Sequence, residues 1–359
     1  MTYLLFFAGL VALIVGADVL VRGASRLALS LGISPLVVGL TVVAFGTSAP
    51  EVAVSVGAVL DGKTDLALGN VVGSNIFNVL FILGLSALIV PLVVNIQLIR
   101  QEVPIMLGAS VLLLLLSLDG VLSWNDGVLL LLSLVAYTSF LVVQSRRESQ
   151  AAQDEYTQEF APKAPAGWLD KVWVQLLLIV AGLALLVLGS DWLVQAAVTI
   201  AKSMGVSDLV IALTIVAAGT SMPEVATSVM AAIKGERDIA VGNVVGSNTF
   251  NVLGCMGLAS LVSGQTGLVV PAAAINFDLW VMVAVALACV PIFMTGQMIA
   301  RWEGAVFLGY YAVYVTYLVL AAQQHDALGT FSATMLSFVL PLTVLALVVL
   351  GLPKPNQLN

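Results

Sequence analysis

Leu40-Thr41-Val42-Val43-Ala44-Phe45-Gly46-Thr47-Ser48-Ala49-Pro50-Glu51 occurs a second time, little altered, as Leu213-Thr214-Ile215-Val216-Ala217-Ala218-Gly219-Thr220-Ser221-Met222-Pro223-Glu224. The correspondence runs on without a gap at a constant offset of 173 residues, so that residues 40–80 and 213–253 agree at 28 of 41 positions. Downstream, Gly69-Asn70-Val71-Val72-Gly73-Ser74-Asn75-Ile76-Phe77-Asn78 pairs with Gly242-Asn243-Val244-Val245-Gly246-Ser247-Asn248-Thr249-Phe250-Asn251. What repeats is mostly small, polar or acidic, yet its surroundings are strongly apolar. Packing alone would repeat Leu and Val. A repeated carboxylate with hydroxyls and amides predicts two half-sites facing each other.

The rest of the chain is membrane-like. It is 60% hydrophobic and 9% charged, with a mean hydropathy of +1.10, where a soluble domain carries roughly 25% charged residues. The apolar runs are therefore read as bilayer spans of about 20 residues each. The first run is not a cleavable signal peptide: no basic residue precedes it, and Asp18, Arg22 and Arg26 follow where small residues would mark a cleavage site. A net charge of −7 and a pI near 4.6 exclude nucleic acid as a partner, because that surface must be basic. No obligate protein partner is implied. The two cysteines, Cys255 and Cys289, both fall in apolar runs and read as buried, inert thiols.

The pattern predicts an all-α polytopic membrane protein of eleven spans, near 3–28, 36–60, 66–90, 99–118, 125–144, 172–200, 209–233, 239–262, 277–296, 303–322 and 330–352. A polar stretch, with Arg146, Arg147, Glu148, Asp154, Glu155, Glu159, Pro162 and Pro165, separates the two halves and is too short for a folded domain. The expected organisation is a first repeat of five helices over 1–145, a cytoplasmic linker over 146–171, a second repeat of five over 172–323, and an additional C-terminal helix over 330–352. With the N-terminus outside, eleven Lys and Arg residues fall on the inner side and only Lys63 and Lys202 on the outer, a strong positive-inside bias. It leaves the linker and the C-terminus cytoplasmic and fits a prokaryotic inner membrane. Five spans per half is an odd number, so the second repeat enters from the opposite side to the first. Inverted repeats of this kind bind substrate at the repeat interface near the bilayer midplane. Upstream, Gly16-Ala17-Asp18 matches Gly189-Ser190-Asp191. Asp18 and Asp191 are read as capping or pairing with Arg22 or polar neighbours.

The chemistry centres on Glu51 and Glu224, each in mid-span. A charge at the bilayer centre costs about 2.5–3.5 kcal/mol even on insertion scales, and no Lys or Arg lies at similar depth to serve as a structural partner. Pro50 and Pro223 precede these acids. Proline has no N–H, so the carbonyl four residues back, on Gly46 or Gly219, loses its helical donor. A plain kink would explain the proline but not the acid and the hydroxyls of Thr47, Ser48, Thr220 and Ser221 beside it. Freed backbone is tolerated in a membrane only where it is buried or lines a wet cavity. The Gly69/Gly73 and Gly242/Gly246 spacings are close-packing faces. They carry Ser74 and Asn78, and Ser247 and Asn251, four apart and so on one helix face in each half. Asn70, Asn75, Asn243 and Asn248 read chiefly as interhelical hydrogen-bonding groups. Two carboxylates, several hydroxyls, amides and carbonyls form an all-oxygen set suited to hard cations such as Ca²⁺. Soft metals would want Cys or His, and the one histidine, His325, lies in a late loop. Two glutamates neutralise one Ca²⁺, and several Na⁺ could take the same oxygens instead. Mutual exclusion at a shared site is the physics of antiport.

These motifs resemble those of the Na⁺/Ca²⁺ exchangers of the Ca²⁺/cation antiporter superfamily, in its prokaryotic branch, over most of residues 1–322. The resemblance implies a ten-helix core in which the second, third, seventh and eighth helices surround the ions and the first and sixth slide across them. It implies Ca²⁺ ligation by Glu51 and Glu224 with the backbone carbonyls of Thr47 and Thr220. It implies Na⁺ sites from the Ala44 carbonyl, Thr47, Ser48, Glu51 and Ser74, mirrored by the Ala217 carbonyl, Thr220, Ser221, Glu224 and Ser247, with Asn78 and Asn251 completing the centre. Some members carry Asp where this chain has Asn78 or Asn251. Two amides leave the centre at −2, which argues against a K⁺-dependent exchanger. Ca²⁺ and Na⁺ are cargo, and no cofactor is expected.

The expected activity is secondary antiport of Na⁺ against Ca²⁺, not an enzymatic reaction. The alternative is H⁺-coupled Ca²⁺/cation antiport, since two facing glutamates could share a proton. The hydroxyl-rich pockets argue against it. An intramembrane aspartyl protease would need two facing aspartates with a catalytic constellation that Asp18 and Asp191 lack. A passive channel fits a stack of binding oxygens less well than alternating occupancy does.

Overall fold

A computed structural model of the chain describes residues 2–159, 171–205, 211, 215 and 217–341. The apolar runs form long helices: α1 (Thr2–Leu31), α4 (Thr64–Ile89), α5 (Leu98–Leu116), α6 (Trp124–Glu159), α7 (Val172–Ser203), α9 (Arg237–Val262), α10 (Ala274–Met294) and α11 (Arg301–Ala322). At about 1.5 Å rise per residue, each reaches across a hydrocarbon core of roughly 30 Å. A ninth span is the bent pair α2 (Pro35–Thr47) and α3 (Ala49–Leu60), whose axes meet at 42°. Its mirror in the second half is α8 (Met222–Ile233), preceded by the short turn Ala217–Gly219. The remainder of the expected 209–233 span lies outside the described residues. So does the end of the expected 330–352 helix, which is seen as α12 (Ala327–Thr334) running into a π turn at Met335–Val339. Of the expected linker, 160–170 falls outside the described residues, and α6 carries on through its first part to Glu159.

Local sequence sets several boundaries. The long apolar run of α1 stops at Gly32, whose φ of +64° suits glycine best. Ser34 then caps α2, its Oγ accepting the Val37 N–H at 3.3 Å, with Pro35 as first helical residue. Equivalent π-helical turns interrupt α4 at Asn78–Leu83 and α9 at Asn251–Met256. Such turns are frequent at functional sites.

The halves are inverted, and the glycines of α1 and α7 make this visible. A Cβ added at Gly9 would lie 2.7 Å from the Gly189 carbonyl oxygen, and one at Gly16 would lie 2.9 Å from that of Gly182. Contacts therefore descend along α7 as they ascend along α1, so the two equivalent helices run antiparallel, backbone against backbone. The same exchange recurs in two short ribbons. β1 (Leu92–Val93) pairs antiparallel with β4 (Met298–Ile299), and β2 (Val121–Leu122) pairs with β3 (Leu268–Val269). Each ribbon joins a loop of one half to a loop of the other.

Helices α4 and α9 are the most buried spans and cross at the pseudo-two-fold axis. There Asn75 Nδ2 donates to the Asn248 carbonyl at 3.2 Å, and Asn248 Nδ2 donates to the Asn75 carbonyl at 3.1 Å. One contiguous apolar core surrounds the crossing, from Leu20 and Val38 through Ile76, Val244 and Met282. Large apolar residues such as Leu4, Phe7, Trp173 and Leu177 remain exposed on the outer faces, as lipid-facing surface requires.

Candidate functional site

The site lies where the two broken helices meet the α4–α9 crossing. The helix ending at Thr47 breaks at Ser48 (φ −83°, ψ 5°), and the matching break falls at Ser221 (φ −90°, ψ 9°). Both serines occupy the sparsely allowed bridge region. Pro50 and Pro223 stand in the first turn of the helices that follow, where a missing N–H costs least. The break that sequence expects around each proline is thus realised two residues before it, on Ser48 and Ser221.

Glu51 and Glu224 are both fully buried, and each is held by the opposite half. Ser221 Oγ donates to Glu51 Oε1 at 2.9 Å, and Ser48 Oγ donates to Glu224 Oε1 at 3.1 Å. The two half-sites therefore face each other, and every acid depends on its partner's break. Ser74 joins on one side, its Oγ 3.2 Å from Ser221 Oγ. Thr47 Oγ1 donates to Asn243 Oδ1 at 3.1 Å and Thr220 Oγ1 to Asn70 Oδ1 at 3.3 Å. Ala44 lies one turn before the first break, its carbonyl accepting the Ser48 N–H at 3.0 Å, and Ala217 opens the turn before the second.

The amides divide into two kinds. Asn70 Nδ2 donates to Ser55 Oγ at 3.0 Å and to the Glu51 carbonyl at 3.2 Å, and Asn243 Nδ2 donates to Ser228 Oγ at 2.9 Å. With Asn75 and Asn248 these are interhelical clamps, as expected. Asn78 Nδ2 donates to Asn248 Oδ1 at 3.0 Å, and Asn251 Nδ2 donates to Asn75 Oδ1 at 3.2 Å. The central pair is therefore oriented by the clamps.

Several oxygens remain without a partner. Glu51 Oε2, Glu224 Oε2, Asn78 Oδ1, Ser247 Oγ and Thr227 Oγ1 are buried and make no hydrogen bond. Leaving a buried acceptor unsatisfied costs about 1–3 kcal/mol, more for a charged one. Neither carboxylate has a cationic partner among the described residues; Asp18 pairs instead with Arg22 and Lys234, and Asp61 with Lys63. Nor do the described residues contain any cluster of three or more His, Cys, Asp or Glu side chains. Unpaired buried oxygens with two buried acids suit desolvated hard cations better than soft ones.

Sequence reasoning passed over some of this. Ser55 and Ser228 repeat at the 173-residue offset and could have been found by that signal. Thr227 could not, because Val54 stands at the matching position. The same holds for Ser190, whose Oγ donates to the freed Gly219 carbonyl at 2.6 Å, since its counterpart is Ala17. Asp18 does pair with Arg22, at 2.9 Å, and Asp191 accepts from Gln195 Nε2 at 2.8 Å. Both cysteines are buried and free, with Cys255 Sγ 3.5 Å from Asn251 Oδ1.

Comparison with known proteins gives a consistent result. The family model described as "Sodium/calcium exchanger protein" matches residues 1–143 and 174–320. The inner membrane protein YrbG of Escherichia coli is 37% identical over 262 residues, covering 72% of this chain and 79% of that one. The sodium/calcium exchanger MaX1 of Methanosarcina acetivorans is 31% identical over 353 residues, covering 88% and 98%. Among solved structures, the sodium-calcium exchanger NCX_Mj soaked with 10 mM Na⁺ and 10 mM Sr²⁺ superposes with a TM-score of 0.74 at 31% identity, over 88% of this chain and 97% of that one.

Proposed function

The chain belongs to the sodium/calcium exchanger protein family, and on that premise we propose that it is a secondary active antiporter that exchanges Na⁺ for Ca²⁺ by alternating access. The observation that carries this reading is the reciprocal tie of each glutamate to the opposite break, with Oε2 of both left unpaired inside the protein. A Ca²⁺ ion takes six to eight oxygens. Glu51 and Glu224 supply the charged part of that shell, and the carbonyls of Thr47 and Thr220 add neutral oxygens. Na⁺ ions take the Ala44 carbonyl, Thr47, Ser48, Glu51 and Ser74 in one half, and the Ala217 carbonyl, Thr220, Ser221, Glu224 and Ser247 in the other. Asn78 and Asn251 complete the centre.

Because both cations use the same two carboxylates, occupancy by one excludes the other. Neither carboxylate has a cationic partner among the described residues, so with no ion bound the change of access must occlude an uncompensated buried charge at the fixed site. That cost suppresses uncoupled leakage and makes the exchange obligatory. Ions reach the site near the midplane between the inverted repeats. The Lys and Arg distribution supports an orientation with the N-terminus outside and the 146–171 linker and the C-terminus inside a prokaryotic plasma membrane.

The test is ⁴⁵Ca²⁺ uptake into proteoliposomes loaded with Na⁺ and diluted into choline, with a K⁺-loaded, pH-jumped control. Uptake that requires the outward Na⁺ gradient is the expected result. Uptake driven by the pH jump alone would assign the protein to H⁺-coupled antiport and make one glutamate a proton carrier.

A further inference from the structure

Helices α1 and α7 form a unit of their own. Their glycines bring backbone against backbone, and they make with each other the most extensive helix–helix packing among the described residues. Two polar ties among the described residues join this unit to the second half's broken helix. At one end, Lys234, directly after α8, pairs with Asp18 of α1 at 2.5 Å and donates to the Asp18 carbonyl at 3.1 Å, while Arg22 holds the other carboxylate oxygen of Asp18 at 2.9 Å. Further along, Ser190 of α7 donates to the Gly219 carbonyl. Both ties end on the second broken helix. Helix α1 packs along α8, whereas α7 has no comparable packing along α3.

The mirror image of these ties cannot be built from this sequence. At the 173-residue offset Asp18 corresponds to Asp191 and Lys234 to Asp61. Arg22 corresponds to Gln195, and Ser190 to Ala17. In an inverted repeat, exchanging the roles of the two halves approximates the opposite access state. In that state two aspartates would meet where the ion pair now stands, and a methyl group would face the Gly46 carbonyl. Lys63 lies near Asp61, but at 3.9 Å and with both side chains mostly exposed, so it offsets little of that repulsion.

We infer that Asp18, Lys234 and Ser190 are positioning residues that hold the α1–α7 unit at one end of its travel, the end at which α1 lies against α8, and so give the empty transporter a preferred side. The inference rests on the alternating-access reading, and on the orientation proposed above that state is closed to the cytoplasm. The Lys234 and Asp18 side chains are 24% and 30% exposed, so the pair is worth a few-fold in the equilibrium, and the Ser190 bond about as much again. Together they bias it by about tenfold.

The test is hydrogen–deuterium exchange of the full-length protein in nanodiscs, free of Na⁺ and Ca²⁺, with apparent Ca²⁺ affinity measured from each face of oriented proteoliposomes. Lys234→Ala combined with Ser190→Ala is expected to raise amide exchange several-fold over residues 228–236. It is also expected to shift the ratio of the two affinities by about tenfold. Lys234→Arg should behave as the native protein. Asp61→Lys, which offers Asp191 a partner, should shift the ratio the other way. Unchanged amide exchange at that end of α8 in the double variant overturns the inference, whatever the transport result. Absence of Na⁺-driven Ca²⁺ flux in the native protein would instead sink the exchange reading, and amide exchange would still decide whether the ties hold the unit.

Discussion

Glu224→Gln separates ion binding from folding more sharply than any other change. The Glu224 side chain is fully buried, Oε1 accepts one hydrogen bond from Ser48 at 3.1 Å, and Oε2 has no partner. Glutamine keeps the shape and can keep the Ser48 bond through its own carbonyl oxygen. What it removes is one negative charge and one acceptor. Unit charges 4 Å apart interact by about 4 kcal/mol at an effective dielectric constant near 20, and a divalent ion doubles this to about 8 kcal/mol. If the remaining amide oxygen recovers half, about 4 kcal/mol is lost, a ~1,000-fold weaker Ca²⁺ affinity. The ion-free protein should melt no lower than the native one, because an unpaired buried charge has gone. Isothermal titration with Ca²⁺ in detergent gives the first quantity and thermal unfolding in chelator the second. Glu51→Gln should match it, since Ser221 holds Glu51 in the same way at 2.9 Å. Affinity within threefold of native in both variants, at an unchanged melting temperature, would refute the assignment of these carboxylates to the cation.

Three further outcomes follow from the geometry. Gly182→Ala places a Cβ 2.7 Å from the Leu20 nitrogen and 2.8 Å from the Gly16 carbonyl, both backbone atoms that cannot yield singly, so α1 and α7 must part at a cost of about 1–3 kcal/mol; a native-like unfolding curve would contradict this. Asn75→Leu removes the donor to the Asn248 carbonyl and the acceptor of Asn251, which should lower stability by about 1–4 kcal/mol in a thermal melt. Coupling to Asn251→Ala in a double-mutant cycle would show the loss to be shared. Pro50→Ala restores an N–H opposite the Gly46 carbonyl, so the 42° bend should relax. Proteoliposome flux should then fall at least about tenfold while the melting temperature holds or rises.

Much of this architecture is legible in the sequence because its causes are local. A run of apolar residues long enough to span a bilayer needs no partner to be recognised, and nine of the spans appear where the runs predict. The duplicated Gly-Thr-Ser-x-Pro-Glu segment carries its own reason to break, and it breaks within two residues of each proline. What escaped notice depends on pairings between distant positions. Two-residue strands such as Leu92–Val93 are too short to show an alternating pattern. Ser190 and Lys234 act through partners 29 and 216 residues away, and both sit where the two halves differ, which a search for likeness discards. The α1–α7 seam did leave a mark: Gly9, Gly16 and Gly23 are seven apart, as are Gly182 and Gly189, the spacing of one helix stripe.

The two ribbons and the glycine seam share a grammar usually met between separate molecules. Strand β1 takes its partner from the loop after α10, and β2, whose counterpart is β4, takes its partner β3 from the loop after α9. Gly9 touches Gly189 as Gly16 touches Gly182. Contacts that are returned in kind in this way define an isologous interface, the signature of a two-fold homodimer. The chain thus has the architecture of an antiparallel two-fold pair of like subunits, each inserted in the bilayer opposite to its mate, carried on one polypeptide. On one polypeptide the copies are free to differ: one carries a lysine and a serine where the other has an aspartate and an alanine. A symmetric ancestor could have had no preferred side. Joining its halves is what would let one resting side be favoured over the other.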